Sequence, residues 1–264
     1  MLSMQAKKIM EQYFNLPFVG VNAVRCPYFN NARTGKRGQL RVLSGKGTPA
    51  EIVEETKIIS LQYHAGLFDA TGHCCLHADH GHEKNAEHIR KFLIDHNLGV
   101  DCSGFVTQIL AAHYAETKHV NLPRQLSKNP ANILRSIINH LRPIENIGVR
   151  TYFDDTNTTS VPTVAELKPL DLVVMMQAGG QNQRNHILLI TKIENCTISY
   201  THATSWGSDG LYGHGVSKGE IIITDPTRKL LDQRWTERNK TNEQNETYLE
   251  AKSAKILQIR RLNF

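Results

Sequence analysis

Apolar residues in the first half of the chain recur mainly at helical spacing, which is typical of helices that bury one face. At the start, Ile9, Met10, Tyr13 and Phe14 follow this spacing and predict a short amphipathic helix. Thr48 followed by Pro49 and Glu51 has the residue types of a helix start. Together these patterns predict further helices at 49–64, 85–96, 102–116 and 129–141.

The second half carries short runs of β-branched and apolar residues, which turn residues separate. These runs predict strands at 171–176, 186–192, 196–202, 220–224 and 255–261, and an earlier short run predicts one at 40–43. The segment 154–159 has the composition of a turn, and the polar segment 239–250 is predicted to be an exposed loop or helix. Because helices come first and strands follow, we predict an α+β fold.

Composition limits the classes of function. The chain has 264 residues, of which 40% are hydrophobic and 21% are charged, and its net charge is +6. Basic and acidic residues are interspersed, so we predict no nucleic-acid binding. We also predict no membrane insertion, because no apolar run reaches the roughly 20 residues of a spanning helix. The composition does not indicate an oligomeric state.

The N-terminus and the cysteines bear on the compartment. Glu11, Gln12 and Asn15 interrupt the apolar residues that a secretory signal would require. Five cysteines, an odd number scattered along the chain, make a poor disulfide framework. We therefore expect a reducing compartment and a cytoplasmic location.

Cys102 has a position that suits a nucleophile. It begins the predicted helix 102–116, and Asp101 before it is a candidate N-cap. Unpaired N–H groups and the helix dipole at that end stabilise a thiolate and a developing oxyanion. The alternative is a small buried apolar cysteine.

Two histidines are candidates for the base that such a thiol requires. If 193–195 form a three-residue hairpin loop, Lys192 faces Cys196 and His186 faces His202. Both histidines then lie at one end of a core-facing stripe. This register predicts that His186 and His202 are direct partners.

These residues also resemble a known family. The segment Asp101-Cys102-Ser103-Gly104-Phe105 matches the D-C-S-G-F nucleophile motif of the NlpC/P60 family. Further on, 167–173 resembles its L-x-P-G-D-L-V segment, with Leu170 in place of the glycine. His186-Ile187 and 200–204 are similar to the two histidine segments that follow. The resemblance covers about 98–206.

The resemblance implies a papain-like fold, with the cysteine on a helix that packs against an antiparallel sheet. It implies a hydrolase that cleaves a peptide or amide bond through a thioester, in cell-wall-type peptides that contain D-glutamate, such as peptidoglycan fragments. Cys102 is then the nucleophile, His186 the general base and His202 the orienting residue. No metal or other cofactor is expected.

The resemblance further suggests which residues bind substrate and how the chain is divided. Tyr28, in Pro27-Tyr28, corresponds to a family tyrosine near the substrate, and Asp101 and Ser103 are further candidate substrate-binding residues. Residues 98–264 would form the catalytic core with a polar C-terminal extension. Residues 1–97 would be a helical elaboration of it.

Three alternatives stay open. The scaffold is a silent module that binds a peptide or wall fragment, or an acyltransferase, because transfer and hydrolysis share the thioester. The third concerns a cluster with the residue types of zinc ligands, although its spacing fits no zinc template and a solvated loop is preferred. The cluster consists of His73, Cys74, Cys75, His77, His80 and His82.

Overall fold

The computed structural model describes residues 1–29, 45–69, 71–74, 81–128, 141–179 and 184–264, with backbone only for 81–84. Within them the chain forms seven α-helices and eight strands, which short 3-10 turns supplement. The helices are α1 Met4–Phe14, α2 Pro49–Gln62, α3 Gly81–Asp95, α4 Cys102–Lys118, α5 Leu122–Gln125, α6 Val149–Phe153 and α7 Glu246–Ser253. The strands are β1 Thr158–Val161, β2 Leu172–Ala178, β3 Arg184–Glu194, β4 Thr197–Thr204, β5 Gly215–Ile222, β6 Arg234–Glu237, β7 Lys240–Thr241 and β8 Ile256–Leu262.

All eight strands belong to one sheet, in the order β1-β8-β2-β3-β4-β5-β6-β7. The pairs with a defined register are antiparallel, including those of β2 with β3 and β8 and of β3 with β4. The first six helices precede every strand. The predicted α+β class is therefore confirmed. No helix in the described part of the chain is both long and apolar enough to cross a membrane.

The helix starts that local residues predicted are confirmed. At α2, the Glu51 N–H donates to the Thr48 hydroxyl oxygen, and the Thr48 N–H donates to the Glu51 carboxylate. This capping box satisfies two backbone donors at once. Helix α4 begins at Cys102 as predicted and continues to Lys118. The predicted strand 40–43 and nearly all of the predicted helix 129–141 lie outside the described residues.

The sequence reading missed three short strands. Thr158, predicted to lie in a turn, begins β1 and pairs with Leu262 of β8. Strand β1 has buried residues only at its two ends, so it lacks the alternation that identifies a strand. Strands β6 and β7 contain four and two residues, too few to show a period.

The predicted exposure of 239–250 is wrong for part of that segment. Asn245 and Thr247 are fully buried. The Asn245 side chain caps α7, accepting hydrogen bonds from the N–H groups of Thr247 and Tyr248. A buried cap accepts hydrogen bonds from backbone N–H groups that would otherwise be left without a partner at a cost in free energy. Polar composition alone does not reveal such a cap.

Leu170 occupies a backbone position that favours glycine. Its φ of +80° lies in the left-handed region, where a Cβ atom costs free energy. The adjacent Asp171 is buried and paired with Arg261 at 2.7 Å. The turn before β2 therefore has the backbone that glycine would adopt without strain, although this chain has leucine there.

The chain divides into two compact units, neither of them continuous in sequence. Unit 1 comprises Met1–Ala6, Ile109–His202 and Ser217–Phe264, and unit 2 comprises Lys7–Gln108 and Ala203–Val216. The core of unit 1 lies against the sheet and includes Trp235. In unit 2, the rings of Tyr13 and Phe105 pack edge to face at 5.2 Å. This division does not coincide with the predicted boundary at 97/98.

Candidate active site

His186 and His202 form a buried pair within unit 1. His186 lies on β3, His202 lies on the neighbouring β4, and neither side chain is exposed to solvent. The Nε2 atom of His186 is 2.7 Å from Nδ1 of His202, which is hydrogen-bonding distance. The structure thus brings together the two histidines that the hairpin argument paired.

The predicted register of this hairpin is wrong in detail. Glu194 pairs with Thr197, so the loop has two residues and not three. On the histidine side, Leu189 faces Thr201, so the next position along places His202 opposite Leu188 and not opposite His186. The histidines are diagonal neighbours, which long side chains can still bridge.

A β-bulge keeps both histidines on one face of the sheet. Ile190 pairs with Tyr200 but Lys192 pairs with Ser199, so Thr191 is an extra residue in β3. The two-residue loop alone would displace the register by an odd number of positions and turn the histidines to opposite faces. The extra residue restores an even displacement, and the side chains meet.

The environment of His186 suits a proton acceptor. Burial lowers its pKa well below the usual range, and electrostatic interactions with His202 and Arg184 lower it further. His186 is therefore neutral near pH 7 and keeps one nitrogen lone pair. Its Nδ1 atom is buried and has no hydrogen-bond partner among the residues that the structure describes.

Glu237 on β6 is a site residue that the sequence reading missed. Its carboxylate lies 3.1 Å from Nε2 of His202 and accepts hydrogen bonds from Tyr200, Ser217 and Thr247. Burial alone would raise the pKa of Glu237. The electrostatic interaction with His202 and the hydrogen bonds from His202, Ser217 and Thr247 outweigh that effect and lower the pKa to about 2.

A weak signal for Glu237 exists in the sequence. Trp235 and Glu237 are two positions apart, and both side chains are buried. Period-two spacing places such residues on one face of a strand. A charged residue is rarely fully buried, however, so the pattern alone favours exposure of the carboxylate.

Cys102 lies within unit 2, at the first residue of α4, and the residue is only 5% exposed. The preceding Asp101 caps the helix as predicted, because its Oδ1 accepts a hydrogen bond from the Gly104 N–H at 2.5 Å. A thiol at this end of a helix lies near the positive end of the helix dipole.

Asp101 and Ser103, the two candidate substrate-binding residues beside Cys102, are engaged with a buried lysine. The Lys46 ammonium donates to Asp101 Oδ1 at 2.9 Å and to Ser103 Oγ at 2.6 Å. Ser103 in turn donates to Asp101 at 2.9 Å. This network fixes the start of α4, and Lys46 is a second residue that the sequence reading missed. A substrate-binding role for Asp101 and Ser103 stays a prediction.

Gly104 is the motif residue whose identity the packing explains most directly. A Cβ atom built at Gly104 would lie 2.2 Å from the Gly45 carbonyl oxygen, which already accepts a hydrogen bond from the Asp101 N–H. Gly104→Ala should therefore lower the free energy of unfolding by about 1–3 kcal/mol, as overpacking typically does. Urea denaturation measures this change.

Gly148→Ala is the matched control for that substitution. A Cβ atom at Gly148 would meet no heavy atom within 4 Å. We expect this variant to change the free energy of unfolding by less than about 1 kcal/mol. Equal changes in the two variants would contradict the steric explanation.

Tyr28 lies close to the nucleophile segment in unit 2, despite its distance along the sequence. It forms a parallel β-bridge with Val100, two residues before Cys102. The Phe29 N–H donates to the Val100 carbonyl, and the Val100 N–H donates to that of Pro27. The backbone thus places Tyr28 beside the segment that leads into α4.

The predicted site residues accordingly fall into two groups. Unit 1 holds the contacting His186 and His202, and unit 2 holds Tyr28 beside the segment with Asp101, Cys102 and Ser103. A metal site receives no support within the described residues, where no three His, Cys, Asp or Glu side chains are arranged to hold an ion. Most of the cluster with zinc-ligand residue types, from Cys75 onward, lies outside the described side chains.

No protein-family model, curated protein or solved structure matches the chain.

Proposed function

We propose that the protein is a cysteine hydrolase of the NlpC/P60 type, with a papain-like fold, that cleaves a peptide or amide bond. Cys102 acts as nucleophile, His186 as general base and His202 as the group that orients the base. The observation that carries the proposal is the buried histidine pair, in which His186 is neutral and has one nitrogen without a partner in the described chain.

The chemistry that these residues support proceeds through a thioester. His186 accepts the thiol proton of Cys102 while the sulfur attacks the substrate carbonyl carbon. Backbone N–H groups at the start of α4 stabilise the oxyanion. When the tetrahedral intermediate collapses, the C–N bond breaks and the amine leaves with the proton from His186.

Water then completes the cycle. His186 takes a proton from a water molecule, whose oxygen attacks the thioester carbonyl carbon. Collapse of the second intermediate breaks the C–S bond, releases the carboxylic acid and restores the thiol. The substrate class, peptides of the cell-wall type that contain D-glutamate, is proposed from the motif resemblance, with Tyr28 as a substrate-contacting residue.

The pH dependence of iodoacetamide labelling tests the nucleophile directly. The rates at Cys102 and at Cys196, an exposed cysteine in the β3–β4 turn, are followed by mass spectrometry of the folded protein. We expect the labelling midpoint of Cys102 to lie below pH 7 and below that of Cys196. Because burial alone slows labelling at every pH, the midpoint and not the absolute rate is diagnostic. A Cys102 midpoint at or above that of Cys196 would contradict an activated thiol.

A further inference from the structure

We propose that Glu237 is a positioning residue that orders the protons of the histidine pair, so that His186 presents a bare Nδ1 as proton acceptor. The catalytic consequence rests on the proposed hydrolase function. The ordering of protons itself does not, because it follows from contacts within unit 1.

The first step concerns His202. Glu237 is ionised near pH 7, since its pKa is about 2. An ionised carboxylate only accepts hydrogen bonds, and both of its oxygens lie within 3.2 Å of Nε2 of His202. His202 must therefore carry a proton on Nε2.

The second step concerns the proton of His186. With that proton alone, His202 has a lone pair on Nδ1, and Nε2 of His186 lies 2.7 Å from that atom. His186 accordingly donates from Nε2. Because burial keeps His186 neutral, its Nδ1 then carries no proton. This is the buried atom for which the described residues offer no hydrogen-bond partner.

The surroundings of Glu237 hold its charge and orientation. Hydroxyl groups of Tyr200, Ser217 and Thr247 donate to it at 2.9, 2.5 and 2.8 Å. The guanidinium of Arg238 lies 3.6 Å from Oε1. The three hydroxyl donors come from β4, β5 and α7, and Arg238 directly follows β6, so side chains from four parts of the chain surround one carboxylate. Glu250 on α7 is a further charged group that interacts with Glu237, and burial raises the pKa of Glu250.

A fixed negative charge behind His202 also favours the charged form of the base. When His186 accepts a proton, the pair carries one positive charge in a site without solvent exposure. Glu237 offsets that charge through His202, as a buried carboxylate does behind a catalytic histidine. Glu237→Gln retains the shape but removes the charge and adds an amide donor.

Nitrogen-15 NMR of the full chain labelled at histidine tests the order of protons. We expect the protonated nitrogen of both His186 and His202 to be Nε2 at pH 7, with Nδ1 of His186 unprotonated. This measurement needs no variant, so it decides the proposal even if substitutions at Glu237 prevent folding. A wild-type His202 protonated on Nδ1, either alone or together with Nε2, would overturn the proposal, whatever reaction the protein catalyses.

Glu237→Gln supplies the second arm of the experiment. We expect it to change the tautomer signals of His202 and to slow Cys102 alkylation at pH 6.5 by at least about tenfold. Glu243→Gln makes the same chemical change at an exposed carboxylate and should leave both readouts unchanged. If Glu237 is purely structural, the Glu237→Gln variant will have a lower melting temperature but wild-type values of both readouts. That result would overturn the positioning role. If the NMR measurement finds the proposed tautomers but wild-type Cys102 is not alkylated, the proton order is supported. That result would count against the proposed hydrolase function instead.

Discussion

Replacing Cys102 by alanine should abolish the proposed cleavage of cell-wall peptides that contain D-glutamate, with a loss of at least about 10³-fold. Without the sulfur no thioester forms, and the histidine pair has no thiol from which to take a proton. The substitution removes one atom from a residue that is 5% exposed, so the fold should persist with a stability change of about 1 kcal/mol. The appearance of new amino groups measures the rate.

Cys196→Ala is the matched control for this variant. It removes the same atom from an exposed turn between β3 and β4 and should retain the wild-type rate. Circular dichroism of both variants checks that the fold is intact. A folded Cys102→Ala protein that kept more than a few per cent of the activity would remove the nucleophile from the mechanism.

The helix starts were predictable because their determinants are local. Thr48 and Glu51 are three residues apart and cap α2, and Asp101 caps α4 through the N–H of Gly104. Capping depends on hydrogen bonds between near neighbours, so the residue types in sequence nearly determine the geometry. The position of Cys102 at a helix N-terminus follows from such a local rule.

The histidine pair was predictable only in part. Alternation along two strands indicated that His186 and His202 share a face, and the structure brings them into contact. The loop length and the bulge at Thr191 were not foreseen, because a bulge depends on how the strand packs within the sheet. The shorter loop and the bulge each shift the register by an odd number of positions. Together they shift it by an even number, so both histidines stay on the same face of the sheet.

Glu237 and Lys46 were beyond sequence reasoning for a different reason. Each is a charged residue that is nearly or fully buried, and each has partners far away along the chain. Buried charge is stable only where the fold supplies such partners, and one sequence does not show which residues those are. Tyr28 is a similar case, since only the bridge to Val100 reveals its proximity to the nucleophile segment.

The pKa of His186 determines how its protonation affects folding. Burial lowers that pKa in the folded state, so the unfolded chain binds more protons once the pH falls below about 6.5. The contribution of neutral His186 to stability is thus fully present above that pH and is lost as the pH falls toward the folded value. His186→Gln should lose less stability than the wild type between pH 7 and pH 5, which urea denaturation at several pH values measures.

His186→Gln should also raise the pH midpoint of Cys102 alkylation toward the ordinary thiol value of ~8.5. At pH 6.5 an unassisted thiol is ionised in only about one molecule in a hundred. A thiolate of lower pKa is also intrinsically less nucleophilic, so the net loss of rate at this pH should be at least about tenfold. Glutamine can still hydrogen-bond His202, which limits the effect to loss of the proton acceptor.

The control for this prediction is the rate at high pH. At pH 9.5, where an ordinary thiol is mostly ionised, the Cys102 alkylation rates of the His186→Gln variant and the wild type should converge. A variant that alkylates at the wild-type rate at both pH values would show that Cys102 depends on another base, even if the stability measurement confirmed the lowered pKa of His186.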